Sequence, residues 1–424
     1  MSTIAEESLV HLSSIEDSVS LLNAELASAN FEDVEEDQDT NLQRIKSSCL
    51  GEPTPISGNA FVCKDHVPFG RLCLKCHVLI NDDGVALRYI HKNLPLASNE
   101  MDRLRDENSK RLLRNRNLSL VLDLDHTLLN SADLSDITSE ETYLNCERDV
   151  LPEYLKSSLF RVDTMKMLTK LRPYVNTFLK EASKLFELHI YTMGDRSYAL
   201  EMAKLLDPEN IYFNSRIISR DDSTRMFEKS LDVVLGKENA TVILDDSESV
   251  WCKEHKENLI VIERYHFFAY SCKQFGDDHK SHSQLKSDEN ESEGALANSL
   301  KILQQIHTMF FDMGHKDSLE DRDLRKVLKS VRKEVLKGCK VVFCDEISSY
   351  SLEFRKTAEE LGAELCDETE ACVTHVVSID LRDDKSIWAM KEKKFLVTPN
   401  WIRVSNHMCR KQLEENFSVP PPDK

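Results

Sequence analysis

Leu118-Ser-Leu-Val-Leu-Asp123-Leu-Asp125-His-Thr127 decides how this chain folds. Its first half is a short apolar run of the kind that forms a buried strand. Its second half places carboxylates immediately after that strand. Residues two apart in extended backbone point the same way, so Asp123 and Asp125 face one spot. In open α/β sheets the C-terminal strand ends are where ligands bind. A polar turn after a strand would look the same, so the pattern alone is only an opening.

Working outward, Leu185 to Tyr191, Thr241 to Leu244 and Leu259 to Ile262 read as three further buried strands. Tyr174, Phe178, Leu179, Ala182 and Leu185 recur at helical spacing between the first two strands. Strands alternating with helices predict a parallel sheet of α/β type. Three more polar sites then stand out. Thr192 ends the second strand, Asp245 and Asp246 end the third, and Lys229 lies in Phe-Glu-Lys-Ser-Leu, expected on a helix. Each has a bland reading as a strand-end hydroxyl, a solvated lysine or an acidic turn. Their order, with three sites at strand tips, argues for one centre.

The stretches Val121-Leu-Asp-Leu-Asp-His-Thr-Leu-Leu, Leu171-Arg-Pro-Tyr, Leu188-His-Ile-Tyr-Thr-Met-Gly, Ser219-Arg-Asp-Asp and Leu244-Asp-Asp-Ser-Glu-Ser-Val-Trp251 resemble the haloacid-dehalogenase superfamily. Within it they resemble the TFIIF-associating phosphatases of the RNA polymerase II C-terminal domain (CTD), in particular the plant CTD-phosphatase-like proteins. The resemblance implies a parallel sheet flanked by helices and a Mg²⁺-dependent protein serine phosphatase acting on the CTD through an aspartyl phosphate. It also implies residence in the nucleus and contact with a general transcription factor such as TFIIF. By the same resemblance Asp123 is the nucleophile and Asp125 the proton donor and acceptor. Thr192 and Lys229 hold phosphoryl oxygens, and Asp245 orients Lys229. Asp123, Asp246 and the backbone carbonyl of Asp125 hold Mg²⁺, for which Mn²⁺ or Co²⁺ is an alternative. Arg172 is expected near the phosphate and Arg220 at the peptide, while Thr127 supports the first loop. Phe186 stands where relatives carry a tyrosine. The intervals Asn130 to Leu168 and Arg196 to Glu228 are too short for a large cap, which favours an extended peptide over a small metabolite. The rival readings are a metabolite phosphatase and a non-catalytic transcription scaffold.

Beyond the centre, the chain divides as follows. Residues 1–55 are acidic and expected to be disordered, with eleven Asp and Glu against two Lys and Arg in the first fifty residues. Residues 56–98 hold Cys63-x₂-His66-x₆-Cys73-x₂-Cys76, with zinc-like spacing and a thiol-rich packed turn as its alternative. The phosphatase domain spans 99–272, and Lys110, Arg111, Arg114 and Arg116 near its start are either a solvated helix face or a nuclear-import patch. Residues 273–295, rich in Ser, Asp, Glu and Lys, read as a flexible linker. Leu296, Leu300, Leu303, Ile306 and Phe310, then Leu324, Val327, Leu328, Val331 and Val335, line two helices within 296–335. Residues 336–424 resemble a small α/β BRCT domain, on Lys337-Gly-Cys-Lys-Val-Val-Phe, Leu361-Gly362-Ala, Thr374-His-Val-Val377 and Thr398-Pro-Asn-Trp401-Ile. Lys385 matches the lysine of phosphate-binding BRCT modules, but Cys344-Asp345 replace their Ser-Gly pair, so docking to a transcription protein is expected instead.

Composition narrows the classes. A formal charge of −19 over 424 residues disfavours general nucleic-acid binding. No long apolar run marks a membrane span. Twelve scattered cysteines read as reduced thiols of cytosol or nucleus.

Overall fold

The computed structural model describes residues 98–225, 227–276, 279–312, 318–344 and 351–421, with short pieces between 68 and 96. The acidic N-terminus and the proposed zinc ligands Cys63, His66 and Cys76 lie outside the described residues; of Cys73 only the backbone is described, paired with Pro68.

The chain enters through α1 (Ser98–Arg114) and continues into β1 (Leu118–Leu122), buried at every position. A three-stranded antiparallel sheet follows, made of β2 (Leu129–Asp133), β3 (Leu159–Val162) and β4 (Met167–Leu171) in the order β2-β4-β3. This is the small insert expected in place of a large cap. Next come α2 (Val175–Ala182), β5 (Phe186–Tyr191), α3 (Arg196–Leu206), β6 (Ile217–Ile218), β7 (Thr241–Asp245) and β8 (Leu259–Val261). The main sheet has five parallel strands in the order β6-β5-β1-β7-β8. With β1 in the middle, the chain winds to one side and then the other, so the switch point falls beside Asp123. Leu122 pairs with Ile190 on one flank and Leu244 on the other. That register brings the tips of β1, β5 and β7 level.

Two readings change. Lys229 is not helical: it bridges to Trp251 in extended backbone, its N–H bonded to the Val250 carbonyl at 2.7 Å. The segment read as a linker is packed. It contains α4 (Ala269–Phe275) and α5 (His282–Leu285). It is held by two buried ion pairs, Lys170–Asp288 at 2.6 Å and Arg172–Glu289 at 2.6 Å. Asp288 and Glu289 meet partners at the end of a distant strand, while much of the rest of the segment is exposed. The α1 face is likewise partly spent, since Arg111 pairs with Glu187 at 2.5 Å and Arg105 donates to the carbonyls of Leu231, Asp232 and Val234.

Both expected helices form: α6 (Ala295–Asp312) and α7 (Leu324–Lys333). Leu296, Leu300, Leu303, Ile306 and Phe310 join the same core as Phe178, Leu179 and Phe186. These helices therefore complete the phosphatase-like domain. Val335, past the end of α7, belongs to the next core.

The C-terminal module holds β9 (Lys340–Phe343), α8 (Ser351–Glu360), β10 (Glu364–Cys366), β11 (His375–Val377), α9 (Asp384–Lys391), β12 (Phe395–Val397) and α10 (Asn400–His407). Its four parallel strands run β10-β9-β11-β12, the small α/β layer expected. Trp401 is fully buried, stacked on His375 with its indole N–H bonded to the Gln412 carbonyl. Gly362 has φ +94°, and a Cβ there would lie 2.0 Å from the Lys333 carbonyl oxygen. Only glycine permits that approach between the module and the end of α7. Lys385 donates to the Phe343 carbonyl, while Asp345 lies outside the described residues. No described helix is long and apolar enough to cross a membrane.

Leu303→Ala removes a fully buried side chain from the shared core. Urea unfolding is expected to show a loss of about 2–5 kcal/mol, with melting of the phosphatase-like domain rather than of an independent helical segment.

Candidate active site

The central group is Lys229, 1% exposed. Its ammonium lies 2.5 Å from Asp123 Oδ1 and 2.7 Å from Asp245 Oδ2. The rings of Tyr191 and Trp251 stand 5.8 and 5.6 Å from the same nitrogen. Burial opposes the charge, but the two carboxylates more than offset it, and the lysine pKa is raised. Trp251 donates its indole N–H to Asp245 Oδ2 at 2.9 Å, and the Ser247 N–H reaches Oδ1 at 2.9 Å. Asp245 is thus saturated and fixes the lysine. Asp123 keeps one oxygen without a hydrogen-bond partner among the described residues.

Asp123, Asp245 and Asp246 form an acidic cluster whose nearest carboxylate oxygens all lie within 4.8 Å of one another. Asp246 is gripped by Arg264 at 2.6 Å, which sequence reasoning missed. Burial, then neighbouring carboxylates, raise the pKa of Asp123 well above the ordinary range, against the pull of Lys229. Asp246 is raised by burial and by Asp245. The side chain of Asp125 is not in this cluster. Its carboxylate turns instead to Tyr198, whose hydroxyl donates to Oδ1 at 2.5 Å, and to Thr192, at 3.4 Å from Oδ2. The Thr192 hydroxyl also accepts the Gly194 N–H at 3.0 Å.

The loop after Asp125 is reversed by His126 at φ +63°, a left-handed backbone costly for a non-glycine residue. Arg172 holds that loop in place. Its five N–H donors meet five acceptors: the His126, Thr127 and Glu263 carbonyls and both oxygens of Glu289. With all five donors engaged, Arg172 braces the loop behind the nucleophile. The Thr127 hydroxyl is buried without a partner, and its contribution to the loop is through the backbone carbonyl. Arg220 is exposed. Its backbone N–H bonds the Gly194 carbonyl at 3.0 Å, which places it next to the Thr192 turn. Phe186 lies at the opposite end of β5, packed on His307, so its missing hydroxyl takes nothing from this centre.

A model of NLI interacting factor-like phosphatases matches residues 118–286. Over 433 aligned residues the chain is 48% identical to Arabidopsis thaliana "RNA polymerase II C-terminal domain phosphatase-like 4", covering 98% of this chain and 97% of that one. The chain belongs to the RNA polymerase II C-terminal domain phosphatase-like family. A second Arabidopsis thaliana relative, "RNA polymerase II C-terminal domain phosphatase-like 3", is 40% identical over 74% of this chain but only 26% of its own length. The structure described as that of "Fcp1, an essential RNA polymerase II CTD phosphatase" aligns with TM-score 0.60 and 25% identity, covering 75% of this chain and all of that one. Family membership explains why the strand-tip residues were legible. Tyr198 and Arg264 carried no such signal, since each meets its aspartate only through the fold.

Two measurements check this geometry. Glu289→Ala strands the buried Arg172 guanidinium and is expected to cost about 3–5 kcal/mol in chemical denaturation. His407, beside the centre, has its pKa pulled down to about 4 by burial, then by the positive charges of Arg403 and Arg264. The unfolded histidine takes up a proton near about pH 6.5 that the folded one refuses until lower pH. Its stabilising contribution is therefore complete above that value and lost as pH falls through the window. His407→Gln is expected to shrink the stability difference between neutral and mildly acidic buffer.

Proposed function

We propose that this chain is a Mg²⁺-dependent protein serine phosphatase that dephosphorylates the C-terminal repeat domain of the largest RNA polymerase II subunit, in the nucleus. The observation that carries the reading is the buried lysine joining Asp123 to Asp245 at the strand tips, with Asp246 within reach of both. The substrate class is that named for its relatives, carried over to this chain as part of the reading.

The donor set fits a hard divalent cation. The three clustered carboxylates, Asp123, Asp245 and Asp246, outnumber the two cations beside them, Lys229 and Arg264, so the cluster stays anionic and attracts a cation. Asp123, Asp246 and the backbone carbonyl of Asp125 would hold it. When bound, it offsets the repulsion between an anionic nucleophile and a phosphate. Lys229 fixes one oxygen of Asp123 and leaves the other to attack phosphorus in line. Thr192 and Lys229 bind phosphoryl oxygens. Asp125 protonates the departing serine oxygen and later takes a proton from water. Arg220, exposed beside Thr192, is the cation offered to the peptide. TFIIF contact and the docking role of the BRCT-like module belong to the same reading.

Singly phosphorylated CTD peptides, assayed with and without Mg²⁺, test it. Asp123→Asn is expected to lower turnover by about three orders of magnitude or more, with a cooperative melting transition still present but at lower temperature, since Lys229 loses one of its two carboxylates. A marked preference for sugar phosphates over CTD peptides would transfer the substrate assignment to a small metabolite.

A further inference from the structure

We propose that Tyr198 is a positioning residue that dictates which oxygen of Asp125 carries the mobile proton, an inference that rests on the phosphatase reading above. The tyrosine hydroxyl lies 2.5 Å from Asp125 Oδ1. Oδ2 accepts only a long hydrogen bond, 3.4 Å, from the hydroxyl of Thr192, the residue that follows β5 at the reaction centre, and that hydroxyl can turn to accept instead. A phenol donating to Oδ1 leaves Oδ2 as the atom to be protonated, on the side where a phosphoryl group would sit.

Three constraints fix that phenol. Asp195 caps α3 by accepting the Tyr198 backbone N–H at 2.8 Å, which sets the residue on the first helical turn. Gly194 makes room for the ring: a Cβ there would come within 2.4 Å of the Tyr198 ring. The Ser131 hydroxyl stands 3.1 Å from the phenol oxygen and 2.9 Å from the Thr169 hydroxyl. Since the phenol donates to Asp125, it accepts from Ser131, and the chain of hydroxyls runs from the three-stranded insert to the acid.

The proton accounting follows. As an oxygen of Asp123 bonds to phosphorus, the bond from phosphorus to serine Oγ breaks and its electron pair goes to Oγ. Oγ takes the proton from Asp125 Oδ2. In the second half, water oxygen attacks phosphorus, Oδ2 recovers a proton from that water, and the electron pair of the Asp123–phosphorus ester returns to Asp123. Without Tyr198, the protonated oxygen is free to turn away from Oγ.

The test uses the full chain and two aryl phosphates that differ in their need for protonation. Phenyl phosphate releases a basic phenolate; p-nitrophenyl phosphate releases a stable anion. Tyr198→Phe, which deletes only the hydroxyl, is expected to lower kcat/KM, which reports phosphoryl transfer to Asp123 and not the hydrolysis common to both esters, about tenfold or more on phenyl phosphate and less than about twofold on p-nitrophenyl phosphate. Gly194→Ala, which displaces the ring, is expected to give the same split. Equal losses on both esters, or none on either, overturn the assignment. A wild-type enzyme that hydrolyses aryl esters with the expected split in the variant but leaves CTD peptides untouched supports the Tyr198 role and overturns only the substrate. Inactivity of the wild type on every ester overturns the reaction and this role together.

Discussion

A single buried ammonium holds the centre together. Lys229 has no water to solvate it, so its charge is tolerable only between Asp123 and Asp245. Those carboxylates, in turn, stand too close together to be ionised without it. The nucleophile, the lysine and its orienting acid are thus one electrostatic unit contributed by three separate segments. The parallel register of β1, β5 and β7 exists at the level of the backbone, but its value is that it delivers Asp123, Thr192 and Asp245 to the same height, where Lys229 meets them from a separate segment. Trp251 closes the unit from behind, its N–H on Asp245 and its ring near the ammonium.

A second charge network supports the first at one remove. Lys170 and Arg172 end β4, and each is paired to an acid from the segment after α5. Arg172 also satisfies the carbonyls of the reversed loop that follows Asp125. Left-handed backbone at His126 persists because its surroundings over-determine it. The insert, the loop and the returning segment are therefore mechanically one piece, and removing any acid of the pair leaves a buried cation rather than a looser surface.

This explains what the sequence could disclose. Strand ends were legible because an apolar run followed by acids states both the element and the direction of its side chains. Asp123, Asp125, Thr192, Asp245 and Asp246 all sit in such places. Lys229 was found by its motif but assigned to a helix, because an extended segment bonded to Val250 leaves no periodic trace. The run from 273 to 295 was read as a linker because Asp288 and Glu289 look solvated until their partners, more than a hundred residues away, are known. Arg172 was recognised by its motif, but the backbone carbonyls and the glutamate it braces could be seen only in the fold.

The C-terminal module illustrates the opposite case, in which one residue type limits an arrangement in space. The Lys333 carbonyl at the end of α7 occupies the position that any side chain at 362 would need. α7 itself is buried against the phosphatase-like core through Leu324, Val327, Leu328 and Val331. The module is consequently seated on a helix that the catalytic fold cannot spare. His407 of its last helix lies close enough to Arg264 for that charge to depress its pKa, and Arg264 grips Asp246.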